Sequence, residues 1–289
     1  MVPTIEGKIV LVTGATNGIG LVTARELSRM GALVTIVSRN AEKCAAVAAS
    51  IYTETGKGIE FIAADLSTLE GIWQAADNFK KTHNQLHILV NNAGGFFIKR
   101  IVTPDGYEKT LALNHLNYFM LTLMLLDLLK GSAPARVVNV ASGSHVGAKI
   151  DFDDLQEENH YGGFRAYGQS KLANILFTYE LARRLDKTNI TVNALHPGYV
   201  DTGIPLSSGF PGNIAKEFAR FFAKKPEVGA LTSIYLATSP EVEGVTGKYY
   251  IDCKQVNSSP ESYDQSTAEK LWQVSLDLVG GKNFQQPSI

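Results

Sequence analysis

Short apolar segments alternate with longer helical patterns along this chain of 289 residues, and that alternation restricts its fold more than any other feature. The apolar segments have no polar face, as expected for parallel strands that helices cover on both sides of a sheet. The pattern predicts one doubly wound α/β domain over residues 1–289, with a parallel sheet of about seven strands and helices on both faces. The predicted strands are Ile9–Thr13, Leu33–Ser38, Ile59–Ala63, Ile88–Asn91, Val137–Ala141, Thr191–His196 and Lys248–Ile251.

Two long loops, Gly143–Arg165 and Thr202–Lys225, interrupt the alternation. Both follow the carboxyl ends of predicted strands, where ligands of open α/β sheets bind, so both are candidates to cover a substrate. Within the second, the amphipathic stretch Asn213–Lys225 fits an apolar lid, a surface for a membrane or partner, or an ordinary packed helix. The clearest predicted helices are Ile19–Met30, Ala41–Glu54, Gly71–Lys81 and Lys171–Leu185.

Composition excludes several classes of protein. A net charge of −1 gives no general reason to expect nucleic acid or an anionic membrane as partner. The two cysteines form no disulfide framework, and the histidines and cysteines show no metal-ligand spacing, so we expect a reducing compartment and no metal. Residues 1–8 are too short and polar for a signal peptide, and no apolar run is long enough to cross a bilayer. These features predict a soluble, cytoplasmic protein without a transmembrane segment.

A glycine-rich turn, TGATNGIG at Thr13–Gly20, joins the first strand to the first helix. Its glycines permit a tight turn whose backbone N–H groups approach a pyrophosphate, and the helix amino terminus adds partial positive charge. An ordinary turn without a ligand is the alternative, but the position between a strand and a helix favours a phosphate site. The predicted cofactor contacts here are Gly14, Thr16, Asn17, Gly18, Ile19 and Gly20.

The turn resembles the cofactor turn of the short-chain dehydrogenase/reductase family, and the segment NNAG at residues 91–94 resembles that family's signature after the fourth strand. The resemblance implies a Rossmann-type domain in which NNAG stabilises the central sheet and borders the adenosine ribose through Asn91, Ala93 and Gly94. Asp65, followed by Leu66, matches the position that meets the adenine ring. Taken alone, an Asp after a strand is more often a helix cap.

The choice of nicotinamide dinucleotide depends on the end of the second strand. NAD-specific enzymes place an acidic residue there to hold the ribose 2′-hydroxyl, whereas this chain has Ser38 followed by Arg39. A guanidinium holds a 2′-phosphate through paired, charged hydrogen bonds. A solvated surface arginine is the alternative. We therefore predict NADP(H) as the cofactor.

Tyr167 and Lys171 are four residues apart at the start of a helical pattern, so their side chains share one helix face. A neighbouring ammonium favours the phenolate form of a tyrosine, which then exchanges a proton with a carbonyl or alcohol oxygen near neutral pH. Such pairs are also common as surface contacts. Here the pair matches the family's Y-x-x-x-K motif, which implies that both residues act in catalysis and contact the cofactor.

Two more residues match catalytic positions of the family. Ser142, at the end of the fifth strand, matches the serine that binds the substrate oxygen, with Ser144 as a nearby competitor and a self-capping turn serine as the alternative. Asn114 matches the asparagine that holds a water between the catalytic lysine and solvent. A polar residue in an apolar stretch needs a partner in any case, which motivates Asn114 independently.

The segment after the sixth strand, HPGYVDT at residues 196–202, also resembles the family. Pro197 and Gly198 are otherwise a simple turn signal. The resemblance implies that they border the cofactor, and that the backbone of Val200 and the hydroxyl of Thr202 meet its carboxamide and phosphates.

Residues 150–155 and the stretch YGQSKLAN that starts at Tyr167 resemble the retinol dehydrogenase-like branch of the family. That branch implies an oxidoreductase for a hydrophobic carbonyl or alcohol, such as an aldehyde, ketone, retinoid or steroid. Many of its members have an amino-terminal membrane anchor, which we do not expect in this protein. A catalytically silent protein that senses NADP(H) on the same fold is the alternative, and a homo-oligomer remains open.

Overall fold

A computed structural model of the chain describes residues 5–198, 225–280 and 284. Within these residues one sheet has eight strands in the order β3-β2-β1-β4-β5-β6-β7-β8, of which the first seven are parallel and β8 is antiparallel to β7. The predicted parallel sheet between helices is confirmed. The strands are β1 Ile9–Thr13, β2 Leu33–Ser38, β3 Glu60–Ala63, β4 Ile88–Asn91, β5 Ala135–Val140, β6 Ile190–His196, β7 Lys248–Ile251 and β8 Lys254–Val256.

The eighth strand, β8, was not predicted from the sequence. Asp252 and Cys253 both have positive φ, 49° and 61°, so they form the two-residue turn of a tight hairpin between β7 and β8. The dipeptide Asp-Cys lacks the glycine that normally announces such a turn. The strand that follows, Lys254–Val256, is short and largely polar, as expected at a sheet edge.

The helices occupy both faces of the sheet, with bounds near those predicted except for one. The helix that carries Tyr167 and Lys171 begins at Gly163, eight residues before the predicted start at Lys171, and both side chains therefore lie inside it. The predicted segment 202–225 lies outside the described residues apart from Lys225. The helices are α1 Gly18–Arg29, α2 Ala41–Thr55, α3 Leu69–Thr82, α4 Lys109–Leu111, α5 Asn117–Met124, α6 Leu126–Gly131, α7 Gly163–Arg184, α8 Pro226–Thr238 and α9 Gln265–Val279.

Two apolar cores lie on opposite faces of the sheet, because successive side chains of a strand point to opposite sides. Leu11, from the middle of β1, packs into the core formed with α3, α5, α7 and α9. Its neighbours Val10 and Val12 pack into the core formed with α1, α2 and α8. Strands that are apolar on both faces are thus buried on both faces.

The chain changes direction across the sheet at β1. From β1 it proceeds outward to β2 and β3, and β4 then returns to the other side of β1. A crevice opens beyond the carboxyl ends of the strands at such a switch point, and ligands of doubly wound sheets bind there. The glycine-rich turn after β1 and the NNAG segment after β4 meet at this point.

Candidate active site

The glycine-rich turn is fastened to the segment after β4 by two polar side chains. The Thr13 hydroxyl accepts the backbone N–H groups of Asn92 and Ala93 at 2.9 and 3.0 Å. The Asn92 amide donates to the carbonyls of Thr13 and Gly14 at 2.8 and 3.1 Å. Gly14 has a φ of 67°, and a Cβ there would lie 2.7 Å from Cα of Ala93. Glycine is therefore required at the turn by both conformation and space.

The first turn of α1 follows directly and its N–H groups have no carbonyl partner within the helix. Gly18 has a φ of 56°, and Gly20 lies so close to the preceding turn that a Cβ would be 2.4 Å from Nδ2 of Asn92. Asn17 is exposed at the N-cap. Ile19 is buried against α8, so it presents only its backbone to a ligand. A pyrophosphate fits this arrangement of close-packed glycines and unpaired N–H groups.

The end of β2 lies beside the turn, since the hydroxyls of Thr16 and Ser38 are 3.1 Å apart. Arg39 follows Ser38 and is exposed. Within the described parts of the chain it forms no ion pair with a carboxylate. Its guanidinium is therefore available to an anionic group of a bound ligand.

Of the two predicted adenine-binding residues after β3, one is exposed and the other is buried. Asp65 is exposed, and its Oδ1 accepts the N–H and hydroxyl of Ser67 at 3.0 and 2.8 Å. These bonds form a local turn, whereas the N-cap of α3 is Thr68, so Asp65 is not the helix cap that the alternative expected. Leu66 points into the core, so only its backbone is available to a ligand.

Asn91 is fully buried and cross-links the centre of the domain. Its Nδ2 donates to Oδ1 of Asn139 and to the hydroxyl of Thr122, both at 2.9 Å, and Asn139 donates to Thr178 on α7 at 2.9 Å. Ala93 is buried and Gly94 is exposed at the edge of the crevice. Asn91 therefore has the sheet-stabilising position that the resemblance implied, and Gly94 lies next to Asn114 and Lys171.

Lys171 is 3 % exposed, and its ammonium donates to the carbonyl of Val140 at the end of β5 at 2.9 Å. Burial lowers the pKa of Lys171 to about 7. The ammonium lies 5.6 Å from the ring centre of Tyr167 and 5.8 Å from that of Tyr118. Tyr118 donates to the same carbonyl at 3.3 Å. The structure thus brings the predicted Tyr–Lys pair together at the carboxyl edge of the sheet.

Tyr167 lies in the first half of α7, where glycines let neighbouring segments approach closely. A Cβ at Gly168 would be 2.9 Å from the carbonyl of Ser144, so the loop after β5 packs against α7 next to Tyr167. The ring of Phe96 meets Tyr167 edge-on at 5.6 Å and Phe164 at 4.9 Å. Phe164 and Phe96 therefore form an aromatic strip that ends at the Tyr167 ring.

Asn114 lies in a π-helical segment, Ala112–Leu116, between α4 and α5. Such segments often occur at functional sites. Its Oδ1 accepts the N–H of Gly95 at 2.8 Å, and its Nδ2 donates to the carbonyl of Gly95 at 3.0 Å and to Oγ of Ser170 at 2.9 Å. Asn114 is therefore built into the site next to Lys171, with a side chain that holds the loop after β4.

Ser142 follows β5 by two residues rather than closing it, because the strand ends at Val140. Its hydroxyl accepts the N–H of Ser144 at 3.2 Å and donates to the Ser144 hydroxyl at 3.3 Å. The weak second contact leaves the Ser142 hydroxyl able to turn to a substrate oxygen. Ser144 is exposed beside it, so both serines remain at the site.

After β6, Pro197 and Gly198 are half-buried, and Gly198 has a φ of 83°. The predicted contacts of Val200 and Thr202 lie outside the described residues.

The sequence profile described as short chain dehydrogenase matches residues 8–208, which is more than half of the chain. The chain belongs to the short-chain dehydrogenase family. It is 44% identical over 277 residues to retinol dehydrogenase 12 of Mus musculus, covering 96% of this chain and 87% of the relative. The family's activity makes this chain an oxidoreductase.

Two solved structures have a similar fold. A crystal structure of an uncharacterized protein from Mycobacterium paratuberculosis has a TM-score of 0.79 at 31% identity, and it covers 98% of this chain and 97% of its own. The RhlG/NADP active-site complex from Pseudomonas aeruginosa has a TM-score of 0.67 at 30% identity, with coverage of 86% and 96%.

Several residues that build the site of this short-chain dehydrogenase were not predicted from its sequence. Thr13 and Asn92 hold the cofactor turn, yet a threonine and an asparagine beside a glycine motif carry no signal of a long-range bond. Tyr118 shares the Val140 carbonyl with Lys171, and its position four residues after Asn114 was the available hint. Among the described residues, no group of three or more potential metal ligands occurs.

Proposed function

We propose that this short-chain dehydrogenase is an NADP(H)-dependent oxidoreductase that interconverts a hydrophobic carbonyl compound and its alcohol. The observation that carries the proposal is the buried Lys171 ammonium, 5.6 Å from the Tyr167 ring, at the crevice that the glycine turn borders. An ammonium at that position stabilises the phenolate that remains after Tyr167 gives up its proton.

The residues divide the work of carbonyl reduction. The nicotinamide, when bound, supplies the hydride. Tyr167 donates a proton to the substrate oxygen, and Ser142 donates a hydrogen bond that holds this oxygen. Lys171 stabilises the resulting phenolate, and Asn114 fixes the loop at Gly95 close to the ammonium. In alcohol oxidation the same proton moves in the opposite direction.

The preference for NADP(H) rests on Arg39 and on the neutral end of β2. The bond between Thr16 and Ser38 brings Arg39 next to the phosphate-binding turn, and no acidic residue occupies the end of this strand. A 2′-phosphate near that point would form charged hydrogen bonds with the guanidinium. The NADP in the Pseudomonas aeruginosa complex supports the same choice.

Arg39→Asp should weaken NADPH binding by about 100-fold, because it removes charged hydrogen bonds and adds a repelling carboxylate. The affinity for NADH, which lacks the phosphate, should change much less. Fluorescence titration of both dinucleotides measures the two effects.

Lys81→Asp is the matched control, since it makes the same change of charge on an exposed residue of α3 at the opposite end of the sheet. It should leave both affinities unchanged. Equal losses of NADPH and NADH affinity in Arg39→Asp would contradict the NADP assignment.

A hydrophobic substrate is favoured by the aromatic strip beside Tyr167. Phe164 is 75 % exposed although it contacts Phe96, and it lies one helical turn before Tyr167. Exposed aromatic rings next to a reactive group provide apolar surface for a ligand. Similarity to retinol dehydrogenase 12 supports a retinoid or another long aldehyde.

Phe164→Ala should raise KM for a long apolar aldehyde such as retinal by about tenfold, which corresponds to partial burial of one aromatic side chain. KM for a short aldehyde such as propanal should stay the same. Steady-state kinetics with both substrates gives the comparison. Phe61→Ala, an exposed Phe on the edge strand β3, should alter neither value. An equal change for both aldehydes would argue against the strip as a substrate surface.

Turnover itself separates the enzyme from the silent sensor. NADPH oxidation with a panel of aldehydes and ketones is expected, since the proton donor and its cation are adjacent. NADPH binding without turnover on any substrate would favour the sensor.

A cytoplasmic location and assembly as a homo-oligomer are further predictions from the sequence. No helix in the described parts of the chain is long and apolar enough to cross a membrane.

A further inference from the structure

The peptide that joins Ser142 to Gly143 lies between two histidines. On one side, Nδ1 of His145 is 2.6 Å from the carbonyl of Ser142. On the other, Nδ1 of His196 accepts the N–H of Gly143 at 3.0 Å. Both polar groups of one peptide are thus held by imidazole rings, and this peptide directly follows the serine side chain at the substrate site.

The hydrogen bonds fix the proton positions on both rings. Nε2 of His145 accepts the N–H of Ser259 at 3.0 Å, so its proton is on Nδ1 and is donated to Ser142. Nδ1 of His196 accepts a backbone N–H, so the proton of that ring is on Nε2. The two histidines are neutral and hold opposite tautomers.

The packing around the rings leaves little room for another arrangement. His145 is 2 % exposed and meets the ring of Tyr249 at 5.1 Å. Burial lowers the pKa of His145, while the bond to Ser142 and the carboxylate of Glu261 act in the opposite direction. A Cβ at Gly143 would be 3.3 Å from Nε2 of His196, so glycine lets the ring lie close to the peptide.

We propose that His145 and His196 are positioning residues that orient the Ser142 hydroxyl toward the substrate oxygen by clamping the Ser142–Gly143 peptide. This inference rests on the proposed function, because Ser142 acts only if a carbonyl or alcohol binds. Rotation of the peptide would turn the Ser142 side chain away from the crevice. Misplacement of a catalytic group by about 1 Å costs up to about 100-fold in rate.

The test compares leucine variants of the two histidines in two backgrounds. His145→Leu and His196→Leu should each lower kcat by about 10- to 100-fold and leave the Kd of NADPH unchanged. In the Ser142→Ala background the same substitutions should have no further effect, because the group that they position is gone. Equal losses in both backgrounds, or no loss in either, would overturn the clamp.

Asparagine variants and a third histidine are the controls. His196→Asn keeps an acceptor for Gly143, and His145→Asn keeps a donor for Ser142, so both should retain more kcat than the leucine variants. His87→Leu deletes an equivalent imidazole bond, to the N–H of Ile9 at 3.1 Å, at the opposite end of the sheet. It should leave kcat unchanged. Asparagine variants as slow as the leucine variants would contradict the role of these hydrogen bonds.

The tautomers are tested without turnover. Two-dimensional NMR of ¹⁵N-histidine protein, assigned with the asparagine variants, should show His145 protonated on Nδ1 and His196 on Nε2 at neutral pH. A reversed or doubly protonated ring would overturn the clamp even if the enzyme is active. Absence of turnover in the unmodified protein would instead contradict the proposed function, and the NMR result would still decide the clamp.

Discussion

Tyr167→Phe is expected to lower kcat by about 10²- to 10⁴-fold, the usual contribution of a positioned proton donor. The substitution removes one hydroxyl and keeps the ring, so its contacts with Phe96 and Lys171 persist. NADPH affinity and the melting temperature should therefore change little. Single-turnover oxidation of NADPH at saturating aldehyde measures the loss directly, since it isolates the chemical step.

Tyr235→Phe is the matched control. It removes a phenol hydroxyl that donates to Glu241 in the turn between α8 and β7, at the amino ends of the strands and away from the crevice. Its kcat should equal that of the unmodified enzyme. Turnover that survives Tyr167→Phe intact would remove Tyr167 from the chemistry and with it the proposed mechanism.

Lys171→Met should abolish turnover to a similar degree and stabilise the fold at the same time. The Lys171 ammonium is buried against a carbonyl and two aromatic rings, and no carboxylate offsets the burial that lowers its pKa. Methionine has a similar shape and no charge to desolvate. The free energy of unfolding is expected to rise by about 1–4 kcal/mol at neutral pH, a range known for buried ion pairs replaced by apolar residues, because the cost of desolvating the ammonium is removed.

The gain in unfolding free energy from Lys171→Met depends on pH, and the pKa of Lys171 determines the direction of this dependence. The folded-state pKa of about 7 lies below the ordinary value of 10.5, so between these values the unfolded chain binds more protons than the folded chain. Stability of the unmodified protein therefore rises with pH across that window. The advantage of Lys171→Met should be largest below pH 7 and should shrink toward pH 10.5.

Urea unfolding of the cofactor-free protein at several pH values measures this dependence. Lys248→Met, an exposed lysine at the start of β7, is the control and should show no such pH dependence. A gain for Lys171→Met that stays constant with pH, or a loss of stability below pH 7, would show that Lys171 is not the buried, uncompensated cation described above.

Local patterns predicted the sheet, the cofactor turn and the Tyr–Lys pair, because each depends on spacing within a few residues. Glycine spacing after β1 is read directly from the sequence, and a separation of four residues places Tyr167 and Lys171 on one helix face. The aliphatic character of the strands was enough to predict burial on both sides. The order of the strands in the sheet was not predicted, because pairing between strands depends on contacts far apart in the chain.

The features that were not predicted from the sequence depend on contacts between residues far apart in the chain. The stretch Gly163–Ser170 contains two glycines and a serine, so its helix propensity is weak. Burial against the loops after β4 and β5 makes it helical, which is why α7 starts early. The π-helical turn at Asn114 and the two histidines around Ser142 likewise depend on partners far away in the chain.

The loop after β4 is secured from three sides. Gly95 bonds to the Asn114 amide, the Phe97 carbonyl accepts the Tyr161 hydroxyl at 2.8 Å, and Gly163 lies so close that a Cβ would be 2.6 Å from that carbonyl. Phe96 stands between these attachments. The proposed entrance for substrate is therefore preorganised, and little ordering entropy should be lost when a ligand arrives. Divergent relatives would accordingly alter selectivity by exchanging side chains on a rigid frame, and not by reshaping the frame itself.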